Sequence, residues 1–92
     1  MKGHNFEISN KLQKILKKLS KKDKTRFEIT LKKIDEICSS EDIEHYKNLS
    51  HDLKEFKRVH IDSHFVMIFK FDKKSQKIRF EDLQHHDDIY RR

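Results

Sequence analysis

Histidine is the residue type that most directly suggests chemistry in this sequence. Seven occur in 92 residues, and four of them, His60, His64, His85 and His86, lie in the part of the chain with a strand-like pattern or just after it. A neutral imidazole can take up a proton near neutral pH, and an imidazolium can release one. Two such groups suit cleavage of an RNA phosphodiester, because one can deprotonate the ribose 2′-OH while the other protonates the departing 5′-oxygen. This chemistry needs no metal ion.

The same histidines also admit plainer interpretations. A lone histidine on a strand is more often a surface residue or a satisfied core residue. Histidine and aspartate can ligate zinc or iron, but the adjacent His85 and His86 project to different sides of any regular structure. The sequence also has no HExxH motif. We therefore expect no metal and no cofactor, and the trio His60, His64 and His86 favours acid–base chemistry.

Basic and aromatic residues accompany the histidines. Lys54 and Arg58 come shortly before His60, and Lys47 lies further upstream. Cations here could stabilise charge on phosphoryl oxygens, or they could simply be the solvated lysines of an edge strand. Phe65 and Tyr90 could stack on an RNA base, although Phe65 could equally belong to the core.

Composition limits the remaining function classes. Gly3 is the only glycine and Cys38 the only cysteine, which excludes Gly-rich phosphate loops and any intrachain disulfide. No stretch approaches the roughly 20 apolar residues of a membrane span, and the first residues lack the apolar segment of a secretory signal. We expect one small domain, residues 1–92, located in the cytoplasm.

Charge is distributed unevenly along the chain. The net charge is +6, and the first 33 residues hold 11 basic and 3 acidic residues. A basic surface attracts polyanions whatever their sequence. Nucleic acid or ribosome contact is therefore one interpretation, and a solvated helical surface is the other.

The apolar pattern predicts the elements that must position these side chains. "NFEIS" is typical of a short strand, and two amphipathic helices follow, with the stripes Leu12, Ile15, Leu16, Leu19 and Phe27, Leu31, Ile34, Cys38. Ser9 or Asn10 is expected to cap the first helix, and the Ser20–Asp23 spacing is that of a capping box for the second. After a polar loop with room for one helical turn, a period of two predicts the strands "EFKRVHID", "HFVMIFKF" and "KIRFED". The fold class is α+β, with the order β-α-α-β-β-β and an antiparallel sheet of about four strands that carries the helical hairpin on one face.

Two segments, "NLSHDLKEFKRVHIDSHFVMIFKF" and "IRFEDLQHHDDIY", resemble the RelE/ParE superfamily of type II toxins, most closely its YafQ-like branch. The shared pattern is a leucine-and-lysine stretch, an aromatic–basic–x–x–His strand, an apolar strand ending in an aromatic–Lys pair, and a terminal His-x-x-[Leu/Ile]-aromatic. The resemblance covers Leu49 to Tyr90, and before that it consists of the element order and the chain length.

The resemblance implies a small, cytoplasmic, metal-free endoribonuclease that cleaves mRNA in the ribosomal A site. It also implies inhibition by a cognate antitoxin of the RelB or DinJ kind. His60 matches the strand histidine of the YafQ-like site, His86 the terminal catalytic histidine and Tyr90 the terminal aromatic. His64 stands where those toxins tend to have aspartate, and Lys54 falls in the basic stretch.

The sequence also departs from the family pattern. Val66 stands where the RelE-like branch has a central-strand arginine, and Asp82 or Gln84 where it has a second one. A YafQ-like histidine falls at Lys47, with His51 nearby. These differences favour a histidine-led mechanism. The alternatives are a ParE-like inhibitor of DNA gyrase without nuclease activity, or a degenerate toxin that only binds its antitoxin.

Overall fold

The computed structural model describes residues 4–49 and 55–89, of which the last two are described by their backbone only. The elements in chain order are β1 (Asn5–Ile8), α1 (Asn10–Lys22), α2 (Lys24–Ser39), a 3₁₀ turn (Ile43–His45), β2 (Lys57–His60), β3 (Phe65–Asp72), β4 (Lys77–His85) and α3 (His86–Ile89). Within these residues, no helix is both long enough and apolar enough to cross a membrane. The predicted fold class and element order are confirmed, with one additional helical turn at the end.

The four strands form one sheet in the order β1-β4-β3-β2. β2 pairs with β3 and β3 with β4 in antiparallel fashion, as predicted. β1, however, runs parallel to β4, so the sheet is mixed. Parallel pairing needs a long crossover connection, and the helical hairpin together with the two intervening strands supplies it.

The helix starts follow simple capping chemistry. The Ser9 hydroxyl accepts the Leu12 N–H at 3.0 Å, as predicted for the first cap. The predicted capping box is wrong, because α1 continues past Ser20, whose hydroxyl donates to a carbonyl three residues earlier. Asp23 alone caps α2 by accepting the Arg26 N–H at 3.1 Å. A single residue therefore separates the two helices.

The main core lies between the helical hairpin and one face of the sheet. Its fully buried side chains include Leu12, Ile37, Met67, Phe69, Ile78 and Phe80. A smaller apolar cluster lies on the opposite face, where Leu49 and Val66 are buried against Phe56 and Ile68. We call this opposite side of the sheet the open face.

A bulge in β4 decides which side chains reach the open face. Ile68 pairs with Asp82 and Phe69 with Phe80, so Glu81 is the extra residue on β4. A bulge of one residue shifts the alternation of side chains along the strand. Leu83 therefore joins Phe80 in the main core, and Asp82 turns to the open face.

Residues 47–49 of the polar segment pair with residues 56–58 and do not form a plain loop. The Arg58 N–H donates to the Lys47 carbonyl at 2.9 Å, and the Leu49 N–H donates to the Phe56 carbonyl at 2.9 Å. Asn48 forms an isolated antiparallel bridge with Lys57. This short pairing extends the sheet beyond β2 and brings the Lys47 backbone against the strand that carries His60.

Candidate active site

His60 and His86 meet at the open face. Val59 packs towards the helices, so the alternation of side chains turns Arg58 and His60 to the other side. The ring centroids of His60 and His86 are 5.6 Å apart, with a tilt of 31° between the rings. His60 is exposed and His86 is partly exposed. The sheet thus brings together two of the histidines that the sequence predicted as acid–base groups.

His64 and His85 form a second pair beside the first. His64 lies in the turn between β2 and β3, and its ring stacks on that of His85 with centroids 6.0 Å apart. The edge of Phe65 contacts His85, with centroids 5.4 Å apart. The adjacent His85 and His86 therefore have different ring partners, as their spacing predicted. We call these two ring pairs, which meet where α3 begins, the histidine patch.

The two pairs are joined through the backbone. The His86 N–H donates to the His64 carbonyl at 2.6 Å, where α3 begins. Asp87 lies close to both histidines of β4 and α3, with its carboxylate 3.7 Å from Nδ1 of His86 and 3.9 Å from Nδ1 of His85. Its side chain is 69% exposed, so these contacts orient the rings only weakly. Over residues 4–49 and 55–89, no three His, Cys, Asp or Glu side chains are arranged to hold a metal ion.

Asp62 organises the turn that carries His64. Its Oδ1 accepts the N–H groups of His64 at 2.8 Å and Phe65 at 2.9 Å, and its Oδ2 accepts Nε of Arg26 at 2.8 Å. Burial opposes ionisation of Asp62, but the hydrogen bonds from His64, Arg26 and Phe65 outweigh burial and lower the pKa of the carboxyl. The carboxylate is therefore held in its charged form at neutral pH.

Sequence reasoning missed the contribution of Arg26 and Asp62. The two residues are 36 positions apart, and no periodic pattern links the start of α2 to a strand turn. The only available signal was local, because an aspartate at the start of a short polar turn commonly accepts N–H groups two and three residues on.

The predicted binding residues are only partly within the described structure. Arg58 is partly buried on the open face, and Lys47 is exposed beside it. The Arg26 guanidinium covers one face of the Phe65 ring at 4.1 Å from its centroid, and Phe65 also packs against the main core. Base stacking by Phe65 stays a prediction. Lys54, Tyr90 and His51 lie outside the described residues.

A cleft of about 260 Å³ lies on the open face. Its apolar wall consists of Leu49, Phe56 and Ile68, and its polar rim consists of Lys11, Glu81, Asp82 and Gln84. Lys11 of α1 reaches Asp82 at 3.0 Å, which places a cation at the rim of the cleft. Sequence reasoning missed this contact because Lys11 and Asp82 lie near opposite ends of the chain.

The arrangement suits a proton-transfer reaction on a polyanion. Two imidazoles whose centroids are 5.6 Å apart can each come within the roughly 2.6–3.2 Å needed for proton transfer to an oxygen of the same group. Arg58 on the same face can stabilise developing negative charge.

Comparison with known proteins gives the family. No family model matches the sequence. A protein of Methanocaldococcus jannaschii named "Putative toxin RelE4" is 47% identical over 89 residues, which is 97% of this chain and 93% of that protein. A YoeB/ParE toxin from Agrobacterium tumefaciens has the same fold, with a TM-score of 0.73 at 9% identity over 89% of this chain and 98% of that one. YafQ in the E. coli DinJ–YafQ toxin–antitoxin complex gives a TM-score of 0.63 at 19% identity, over 96% of this chain and 98% of that one. The chain therefore shares its fold with these solved toxin structures and belongs to the RelE family of toxins.

Proposed function

We propose that this protein is the toxin of a type II toxin–antitoxin system and that it cleaves mRNA in the ribosomal A site. The observation that carries the proposal is the His60–His86 ring pair, with centroids 5.6 Å apart on an exposed sheet face. Family membership supports the biological role, since the "Putative toxin RelE4" relative covers nearly the whole chain. We further propose that the protein belongs to the YafQ-like branch of these toxins.

The proposed reaction is an internal transesterification. One histidine takes the proton of the ribose 2′-OH, and the 2′-oxygen attacks the adjacent phosphorus. The bond from phosphorus to the 5′-oxygen breaks, and the other histidine gives that oxygen a proton. The products are a 2′,3′-cyclic phosphate and a 5′-OH end, so atoms and charges balance without a metal ion or cofactor.

Other residues take supporting roles in this proposal. Arg58, with Lys47 and Lys54, stabilises charge on the phosphoryl oxygens. Tyr90 stacks on a base beside the cleaved bond, as aromatic rings do in proteins that hold unpaired RNA. His64 takes the place of the family's aspartate and adds a further acid–base group to the patch. Its ring already stacks on His85.

The partners in the proposal are the ribosome, its mRNA and an antitoxin. Helix α1 exposes six lysines, Lys11, Lys14, Lys17, Lys18, Lys21 and Lys22, which suit contact with ribosomal RNA in the cytoplasm. The solved DinJ–YafQ assembly is a toxin–antitoxin complex, and we propose a RelB- or DinJ-like antitoxin for this chain.

The test is induction of the protein without its antitoxin, followed by primer extension on one message in a translated and an untranslated form. Cleavage of the translated form alone is the expected result. A matched control is His45→Ala, since His45 is exposed and its ring lies against Tyr46. Gyrase inhibition in a supercoiling assay without RNA cleavage would replace the proposal by the ParE-like alternative. Normal growth on induction would indicate a degenerate toxin.

A further inference from the structure

A chain of polar contacts connects the first turn of α2 to the turn between β2 and β3. Arg26 donates through one terminal nitrogen to Oδ2 of Asp23 at 2.8 Å and through Nε to Oδ2 of Asp62 at 2.8 Å. Asp62 in turn accepts the N–H groups of His64 and Phe65 with its other oxygen. A planar guanidinium is well suited to bridge two carboxylates in fixed directions.

This series of polar contacts continues to the histidine patch. The carbonyl of His64 accepts the N–H of His86 at 2.6 Å. His86, the first residue of α3, is therefore hydrogen-bonded to the turn that Asp62 stabilises. A parallel route runs through side chains, because Arg26 lies over Phe65 at 4.1 Å and Phe65 contacts His85. A displacement at Arg26 therefore reaches both His85 and His86.

We propose that Arg26 and Asp62 are positioning residues for the RNA-cleaving histidine pair. This inference rests on the proposed function. In this proposal both act through the backbone, and their role is to fix the positions from which His64 and His86 project. We call the Asp23–Arg26–Asp62 contacts the carboxylate bridge.

Two effects of the carboxylate bridge have to be separated, namely positioning and simple stabilisation. The side chains of Arg26 and Asp62 are 22% and 25% exposed, so solvent screens only part of their attraction. Arg26→Lys keeps the positive charge but loses the planar fork, so this variant should lose less stability than orientation. Reaction rate is more sensitive to geometry, because a displacement of about 1 Å can lower it on the order of 10²-fold. The carboxylate bridge should thus affect the rate more than the folded fraction.

The experiment compares Arg26→Lys with Arg79→Lys in the full chain. Both arginines bridge two acidic side chains, since Arg79 contacts Glu7 and Glu81. The Arg79 network, however, joins β1 to β4 rather than a helix to the β2–β3 turn. Cleavage rates are measured on translating ribosomes at increasing ribosome concentration, and thermal unfolding is recorded for each variant. Asp62→Asn, which keeps an oxygen for the two N–H groups, is compared with Asp62→Ala.

We expect Arg26→Lys to lower the maximal cleavage rate about 10- to 100-fold, with the half-saturating ribosome concentration unchanged. Arg79→Lys should cleave as the wild type does, and Asp62→Asn should lose less than Asp62→Ala. Wild-type rates in Arg26→Lys would overturn the positioning role and leave the proposed function intact. A rate loss that tracks loss of folded protein or of ribosome affinity would overturn it as well. A wild-type chain that cleaves no translated message would overturn the proposed function and this inference with it.

Discussion

The adjacency of His60 and His86 predicts strongly non-additive losses when the two are removed. Replacing either one by alanine removes the acid or the base from the proposed transesterification. General acid–base catalysis contributes roughly 10²–10⁴-fold, or about 2.7–5.4 kcal/mol at about 1.36 kcal/mol per factor of ten. We expect losses in that range for His60→Ala and for His86→Ala.

The double variant distinguishes concerted from independent action. The two rings, with centroids 5.6 Å apart, can serve oxygens of the same phosphodiester, so the loss of one leaves the other with little to contribute. Residues that act as a unit show such non-additivity. The double variant should therefore lose little more than the worse single variant. Independent action would instead multiply the losses, to roughly 10⁴–10⁸-fold.

The assay is single-turnover cleavage of a translated message followed by primer extension, with His45→Ala as control. Because His60 is exposed and His86 partly exposed, neither alanine should change the free energy of unfolding by more than about 0.5 kcal/mol. Multiplicative losses would refute the reasoning from ring adjacency. A wild-type rate for either single variant would remove that histidine from the mechanism.

Three further predictions concern groups that support the site. The pKa of Asp62 is lowered on folding, so its charged form stabilises the fold above the ordinary carboxyl pKa of about 4, and this contribution is lost as the pH falls through the lower folded-state value. The difference in Tm between wild type and Asp62→Asn should accordingly shrink below about pH 4, and a constant difference would contradict the assignment. Burial raises the pKa of the Cys38 thiol to about 11, with a smaller effect of Asp35, so a thiol reagent at pH 8 should label Cys38 only after denaturant is added. The Ser9 hydroxyl both caps α1 and donates to the Glu81 carbonyl at 2.6 Å, so Ser9→Ala should lower the free energy of unfolding by about 1–2 kcal/mol in urea melts.

The parts of the fold that depend on local pattern could be predicted from the sequence. The stripe that includes Leu12 and Leu16 identified α1, and the alternation that turns Val59 inward and His60 outward identified β2 and its orientation. The Ser20–Asp23 capping box was wrong because Asp23 alone supplies the cap. Here α1 continues for two residues after Ser20.

The features that the sequence did not reveal all depend on long-range contacts. The parallel pairing of β1 with β4 joins residues about 72 positions apart. The bulge at Glu81, which turns Asp82 to the open face, leaves no local signature. The Arg26–Asp62 and Lys11–Asp82 ion pairs likewise join separate elements. The sequence pattern could not predict them, because many other charged residues could have formed such pairs equally well.

The difference between the core and the histidine patch follows from how each is held in place. Phe69 and Phe80 are fully buried and fixed by packing, so their positions are determined by shape and apolar area. His60 is exposed, as the proposed contact with RNA requires, and packing cannot fix an exposed ring. The turn next to it is instead held by directional contacts, namely the two N–H groups on Asp62, the Arg26 fork and the bond from the His86 N–H to the His64 carbonyl. Such contacts add little net stability when solvent screens them, but they restrict orientation. Substitutions in the core should therefore lower stability first, and substitutions in the carboxylate bridge should lower the cleavage rate first.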